Sequence, residues 1–144
     1  MPERSHREIR HYRKYLKVLK KADAGCEFCK ITSESKQFIE ETSAFTIIHN
    51  IFPYSYWDHL KVTDHLMIIP KTHTDTMSHF TPDQAAEYVR LLGSYESRGY
   101  NVYSRTPSSK QKSVAHQHTH LIKSEGKLVK AIFYIKKPYA RIVI

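Results

Sequence analysis

Ala115-His116-Gln117-His118-Thr119-His120-Leu121-Ile122 sets three histidines at every second position. Side chains of a β-strand alternate between two faces, so a strand here would line up His116, His118 and His120 on one face, whereas a helix would scatter them. Val114, Thr119, Leu121 and Ile122 favour a pleated, half-buried surface, and no helical period runs through the stretch. The reading is a strand over Val114–Ile122, with a sheet to hold it. Imidazoles titrate near neutral pH and serve as acid, base, nucleophile or metal ligand, so such a row seldom lacks a role.

Around that row lies a chain of 144 residues, the size of one domain with one proper core. Its 40% hydrophobic and 26% charged residues are ordinary for a globular protein and argue against disorder. A net charge of +9 points to anionic partners: polyphosphates, nucleotides, nucleic acid or acidic surfaces. No apolar run is long enough to cross a bilayer, and the basic N-terminus lacks the apolar block of a signal peptide, so a cytoplasmic protein is expected. Cys26 and Cys29, in Cys-Glu-Phe-Cys, are too few and too close for a secreted disulfide framework. A reduced pair that binds metal is the expectation, with redox work the weaker alternative.

Working outward, Ile9, Tyr12, Leu16 and Leu19 recur at three and four residue steps and predict a helix from Arg4 to about Lys21. Its remaining surface would be a basic ridge of Arg4, Arg7, Arg10, Arg13, Lys14, Lys17, Lys20 and Lys21, opposed only by Glu3 and Glu8. Such a ridge is either a solvated face or a support for a polyphosphate or nucleic-acid strand. Gln37–Glu40 and Phe45–His49 predict a hairpin, followed by the aromatic loop Ile51–His59 and an apolar strand His65–Ile69 closed by Pro70. Thr81-Pro82-Asp83-Gln84 combines a threonine N-cap, proline at the first helical position and a capping-box glutamine. The helix it starts would run to about Arg98, with Ala85, Tyr88, Val89, Leu92 and Tyr95 on its apolar face. Tyr100–Arg105 predicts a further strand, Thr106–Lys112 a polar loop, and Leu128–Ile144 a last hairpin turned near Lys137-Pro138. Neither repeat nor linker interrupts the chain, so one domain is expected over 1–144: a basic helix (1–24), a core (26–122) and C-terminal strands (123–144).

Two chemistries suit the row. Three imidazoles can gather zinc, or iron, with a position open for water. Alternatively a neutral histidine attacks phosphorus, forming a labile phosphoramidate that water or another acceptor displaces.

Three blocks, Phe28-Cys29-Lys30-Ile31, His65-Leu66-Met67-Ile68-Ile69-Pro70-Lys71-Thr72-His73 and Ser113-Val114-Ala115-His116-Gln117-His118-Thr119-His120-Leu121-Ile122, occur in this order. Together they resemble the signature blocks of the histidine triad family of nucleotide hydrolases and transferases, over about Cys26 to Ile122. The resemblance implies an α+β fold with a central antiparallel sheet of about five strands, a long helix packed on it, and usually a homodimer. It implies that His118 attacks the α-phosphorus of a nucleotide and carries a covalent nucleotidyl intermediate, with His120 near the phosphate or leaving group. Ser113 would offer its hydroxyl to the phosphoryl oxygens, and His116 would orient the nucleophile or bind metal. Asn50 falls where the family places a ribose-binding acid or amide, and Ile48 and the aromatic loop Ile51–His59 would flank the base. A bacterial branch holds a structural zinc at positions that match Cys26, Cys29, His73 and His116, a tetrahedral set of two thiolates and two imidazoles. No organic cofactor is implied.

The sequence departs from that pattern in places. Gln117 and Thr119 are polar where apolar residues are usual, and the loop between Asn50 and His65 is longer. Arg105 and Lys112 replace neutral positions and add charge where a polyphosphate tail would lie. Dinucleoside polyphosphates and related adenine nucleotides are therefore the leading substrates. The alternatives are a non-catalytic nucleotide or nucleic-acid binding module and a DNA-end deadenylating enzyme, to either of which the basic N-terminal helix would bring nucleic acid.

Overall fold

Phe45, Ile47 and Ile48 on one strand and Leu66 to Ile69 on the next are almost wholly buried, and they form the middle of a six-stranded sheet. The computed structural model describes residues 4, 6–21, 25–128, 132–136 and 139–143. Strand β1 (Phe38–Glu41) makes the expected hairpin with β2 (Phe45–His49). The short β3 (Tyr56–Trp57) folds back on β4 (Leu60–Pro70), and β5 (Asn101–Ser104) and β6 (Thr119–Glu125) complete the sheet. The order is β1-β2-β4-β6-β5, with β3 beside β4 and every pairing antiparallel. A separate hairpin follows, of β7 (Ile132–Lys136) and β8 (Tyr139–Val143); the turn expected at Lys137-Pro138 lies outside the described residues.

Two helices accompany the sheet, α1 (His6–Lys21) and α2 (Pro82–Glu96). The capping box of α2 forms as its sequence predicts: the Thr81 hydroxyl accepts from the Gln84 amide, and the Thr81 amide donates to the Gln84 side chain. Such a cap stabilises a helix by about 1 kcal/mol. Tyr88, Leu91, Leu92 and Tyr95 turn toward the sheet and pack on Phe45, Ile47, Leu66, Ile68 and Leu121. Ala85 and Val89, expected on that face, are exposed instead. The face set by Tyr88 and Tyr95 passes through Leu91, one position from the stripe read through Val89.

The register of the sheet decides which side each polar residue takes. Met67 lies opposite His120 and Ile68 opposite Thr119. Because paired positions share a face, Thr119 joins Leu66, Ile68 and Leu121 under α2, and His65, Met67 and His120 point to the other side. On that other side Phe28 and Ile31 cover Ile48, Met67 and Ile69. Helix α1 approaches the same side through Tyr12 and Tyr15, whose rings pack on Phe52 at 5.2 and 4.9 Å. Arg7, Arg10, Arg13, Lys14 and Lys17 form the exposed ridge. Arg4 does not belong to that ridge, because it precedes the helix and turns inward to the Phe52 carbonyl.

Candidate functional site

The strand expected over Val114–Ile122 begins only at Thr119, and His116 and His118 lie on the bend that leads into it. The backbone there bonds out of the sheet: the Gln117 amide donates to Thr74 O at 2.6 Å, and the His118 ring is held by the His116 carbonyl. The three imidazoles are nonetheless gathered and buried, His116, His118 and His120 being 1, 6 and 5% exposed. His118 and His120 meet edge to face at 5.1 Å, and Phe28 packs against His118 at the same distance.

Hydrogen bonds set the tautomer of each ring. His118 Nδ1 lies 2.8 Å from His116 O, which can only accept, so Nδ1 carries the proton and Nε2 keeps its lone pair. Burial is the main cause that lowers the His118 pKa, with Lys112 and Arg105 adding to it against the bond to His116 O. His118 is therefore a neutral imidazole with a basic Nε2 at pH 7. His120 is oriented through a fourth histidine. The Tyr54 amide donates to His65 Nδ1 at 3.0 Å, so His65 bears its proton on Nε2, 2.9 Å from His120 Nδ1. His120 Nδ1 accepts, and its own Nε2–H is left as a donor toward the site. Asn50 Oδ1 accepts from the Phe52 amide at 2.9 Å, and Asn50 Nδ2 lies 3.1 Å from His65 Nε2, a contact between two donors in this tautomer and so no hydrogen bond.

His65 is 3% exposed, and burial, assisted by Arg4, pushes its pKa down to about 3. The unfolded chain, with a histidine pKa near 6.5, binds a proton between those values that the folded chain refuses, so stability is full above about pH 6.5 and is lost toward pH 3. The slope is about 1.4 kcal/mol per pH unit for one histidine. His65→Gln should flatten it, making the loss between pH 7 and pH 5 about 2 kcal/mol smaller in urea titrations. An unchanged slope would mean that His65 does not titrate this way.

The remaining predicted residues fall at or near this centre. Gln117 and Thr119, polar against the usual pattern, have partners: Thr119 Oγ1 bonds Tyr88 Oη of α2 at 2.6 Å, and Gln117 Nε2 donates to Ser104 Oγ at 2.8 Å. Lys112 Nζ donates to Asp75 O at 2.9 Å and Gln117 Oε1 at 3.1 Å, which braces the bend. Arg105 lies over the Tyr103 ring at 5.1 Å, and Tyr103 stacks on His120 at 5.9 Å. Ser113 is exposed and accepts a hydrogen bond from the Tyr12 hydroxyl. Ile48 is 2% exposed and packed beneath Phe28 and Ile31. Beside Asn50 and His65 a cavity of about 380 Å³ is walled by Tyr54, Tyr56, His49 and Glu8.

The sequence assigns His65 no role of its own and Tyr54 only the general one of the aromatic loop, flanking a base. Their signal was a histidine on the histidine-side face of an apolar strand and a tyrosine within an unusually long loop, but the pairing becomes visible only when β4 and β6 are in register.

Against the other flank of His118 stand the four expected metal ligands. Cys26 Sγ, Cys29 Sγ, His73 Nδ1 and His116 Nδ1 all lie within 4.8 Å of one another. Cys26 to His116 is 3.3 Å, Cys29 to His73 is 3.2 Å and Cys29 to His116 is 3.5 Å. Tetrahedral zinc with Zn–S of about 2.3 Å and Zn–N of about 2.0 Å requires S···N separations of about 3.5 Å. His116 Nε2 donates to Pro70 O at 2.9 Å, the outer bond that frees Nδ1 for a metal. The residues fit zinc.

No protein-family model matches the chain. In sequence it is similar to the protein named hit of Bacillus subtilis strain 168, 28% identical over 112 residues, 72% of this chain and 73% of that protein. A histidine triad (HIT) family hydrolase from Legionella pneumophila superposes with a TM-score of 0.52 at 22% identity, over 71% of this chain and 95% of its own. A zinc-bound histidine triad family protein from Mycobacterium smegmatis gives 0.52 at 23% identity, over 70% of this chain and 76% of its own. The fold is that of the histidine triad proteins.

Proposed function

On a histidine triad fold whose middle histidine is neutral and aimed by a backbone carbonyl, we propose that this chain is a nucleotide hydrolase or transferase acting at the α-phosphate. The observation that carries the reading is the His118 Nδ1 contact with His116 O, because it leaves Nε2 as the nucleophile. Nε2 attacks the α-phosphorus, the bond to the leaving-group oxygen breaks, and the positive charge that forms on the His118 ring is shared with the His116 carbonyl through Nδ1–H. The Ser113 hydroxyl and the His120 Nε2–H are donors for the phosphoryl and leaving-group oxygens. Water then attacks phosphorus, the P–N bond breaks, and nucleoside monophosphate leaves with His118 neutral again.

His120 favours one kind of leaving group. The His65–His120 chain is neutral and buried, so it donates a hydrogen bond at little cost but would have to form an imidazolate to give up a proton. Phosphates leave as stable anions and need no proton, whereas amines need one. Dinucleoside polyphosphates are therefore the substrate class we favour, with Arg105 beside His120 receiving the tail. Asn50 and the cavity beside it are the place for the nucleoside. Zinc would be held by Cys26, Cys29, His73 and His116, tying the N-terminal turn to the bend that carries His118. When bound there it supplies structural cross-linking and no step of the reaction.

Exposed Val89 on α2 and Val102 on the edge strand β5 suit a second copy of the chain, consistent with a homodimer. Among the described residues no helix is long and apolar enough to cross a membrane, and the free Cys26 and Cys29 suit a reducing cytoplasm. Incubation with diadenosine polyphosphates and with adenosine phosphoramidates tests the reading: AMP should appear from both, faster from the polyphosphates. A protein that binds these nucleotides and releases no AMP would be the non-catalytic module instead.

A further inference from the structure

Arg4 lies before α1, outside the stretch that resembles the family, yet it is built into the wall of the site. Its Nε and Nη2 donate to Phe52 O at 3.1 and 2.9 Å. The guanidinium carbon is 4.6 Å from the centres of both the Tyr12 and Tyr54 rings. Tyr54, 5% exposed, lies in turn over His65 at 4.7 Å and His120 at 5.6 Å. Arg105 also bonds the Tyr54 side chain and covers Tyr103, which stacks on His120. Tyr12 continues the rim to Ser113 through its hydroxyl. Arg4 thus covers the Tyr54 ring and Arg105 bonds its side chain, and Tyr54 lies against His120, while Phe28 lies against His118 and Cys26 reaches His116.

We propose that Arg4 binds the anionic leaving group together with Arg105, so that the segment preceding α1 forms part of the substrate site. The proposal rests on the nucleotidyl-transfer reading and adds the group that selects among leaving groups. The nearby carboxylate, Glu8 on the first turn of α1, attracts the Arg4 guanidinium and is also bonded to the Ser55 hydroxyl of the aromatic loop. The carbonyl of Phe52 takes two of the five N–H donors of Arg4, and the stacked rings fix its plane; a fork held in this way is suited to phosphate oxygens, where a lysine would offer only a point charge.

The test compares full-length wild type, Arg4→Ala and Arg4→Lys on two substrates sharing the adenylyl group: diadenosine tetraphosphate, which releases ATP, and the p-nitrophenyl ester of AMP, whose leaving group carries no phosphate. Arg4→Ala should lower kcat/KM for the tetraphosphate by roughly 10- to 100-fold and change the ester by less than about threefold, with Arg4→Lys between. Calorimetric titration with inorganic tripolyphosphate should show about tenfold weaker binding to Arg4→Ala. An equal fall on both substrates, which marks a structural role, overturns the proposal, as does unchanged tetraphosphate turnover. If wild type turns over neither substrate, the catalytic reading fails while the tripolyphosphate titration still decides Arg4: weaker binding to the variant upholds the anion site, and unchanged binding removes it.

Discussion

Replacing His118 with asparagine is expected to lower AMP release from diadenosine polyphosphates roughly ten-thousand-fold or more, the scale of losing a covalent nucleophile. Asparagine keeps a polar side chain near the His116 carbonyl but has no lone pair comparable to imidazole Nε2. Neither neighbouring histidine of the row can replace it. His120 Nδ1 is occupied by His65, and His116 Nε2 is bonded to Pro70 O while its Nδ1 faces the cysteines. Because His118 is 6% exposed, the substitution also leaves space, at a cost of about 1–3 kcal/mol. Thermal unfolding and nucleotide binding therefore accompany the assay: a folded variant that still binds nucleotide but has lost turnover locates the defect in the chemical step. Turnover within about tenfold of wild type would exclude attack by His118.

The second large effect concerns zinc. Wild type should contain one zinc per chain by metal analysis, and Cys26→Ser should lose most of it. Withdrawing the metal with a chelator should cost roughly 3–6 kcal/mol of stability, or about 10–20 °C in Tm. The local structure explains why activity should fall as well. Phe28 sits on the turn between the two cysteines and packs on His118, so releasing Cys26 and Cys29 frees the ring that braces the nucleophile. His118→Asn, by contrast, should keep its zinc. Wild type that is metal-free with an unchanged Tm, or metal that disappears with His118 or His120 and stays with Cys26→Ser, would contradict the structural site and restore a catalytic metal.

Much of this was readable in advance where the information is local. The Thr81 cap, the β1–β2 hairpin and the helical stripe through Tyr12 and Leu16 depend on neighbours within a few residues, and they occur where expected. The four candidate metal ligands were legible through the family resemblance, the residues themselves pointing only to the cysteine pair, and the structure brings all four together. The histidine row departs from its expected form in one respect. Period-two spacing marks an extended chain but does not tell a paired strand from an extended bend, and the strand starts at Thr119 because Gln117 bonds Thr74 instead of a neighbouring strand. Partners distant in sequence left no such trace. Thr119 is polar for Tyr88, Gln117 for Ser104 and Lys112, and His65 for Tyr54 and His120. Arg4 counts with the basic ridge in the sequence because composition records charge and not direction.

One measurement bears most directly on the central claim. Wild type is mixed with a diadenosine polyphosphate, quenched within a turnover under alkaline conditions that preserve phosphoramidates, digested and examined by mass spectrometry. The account predicts an adenylyl group on the peptide that contains His116, His118 and His120, with fragmentation placing it on His118. An adduct on another residue, or AMP released in a burst-free course with no adduct at any quench time, would contradict covalent catalysis by His118.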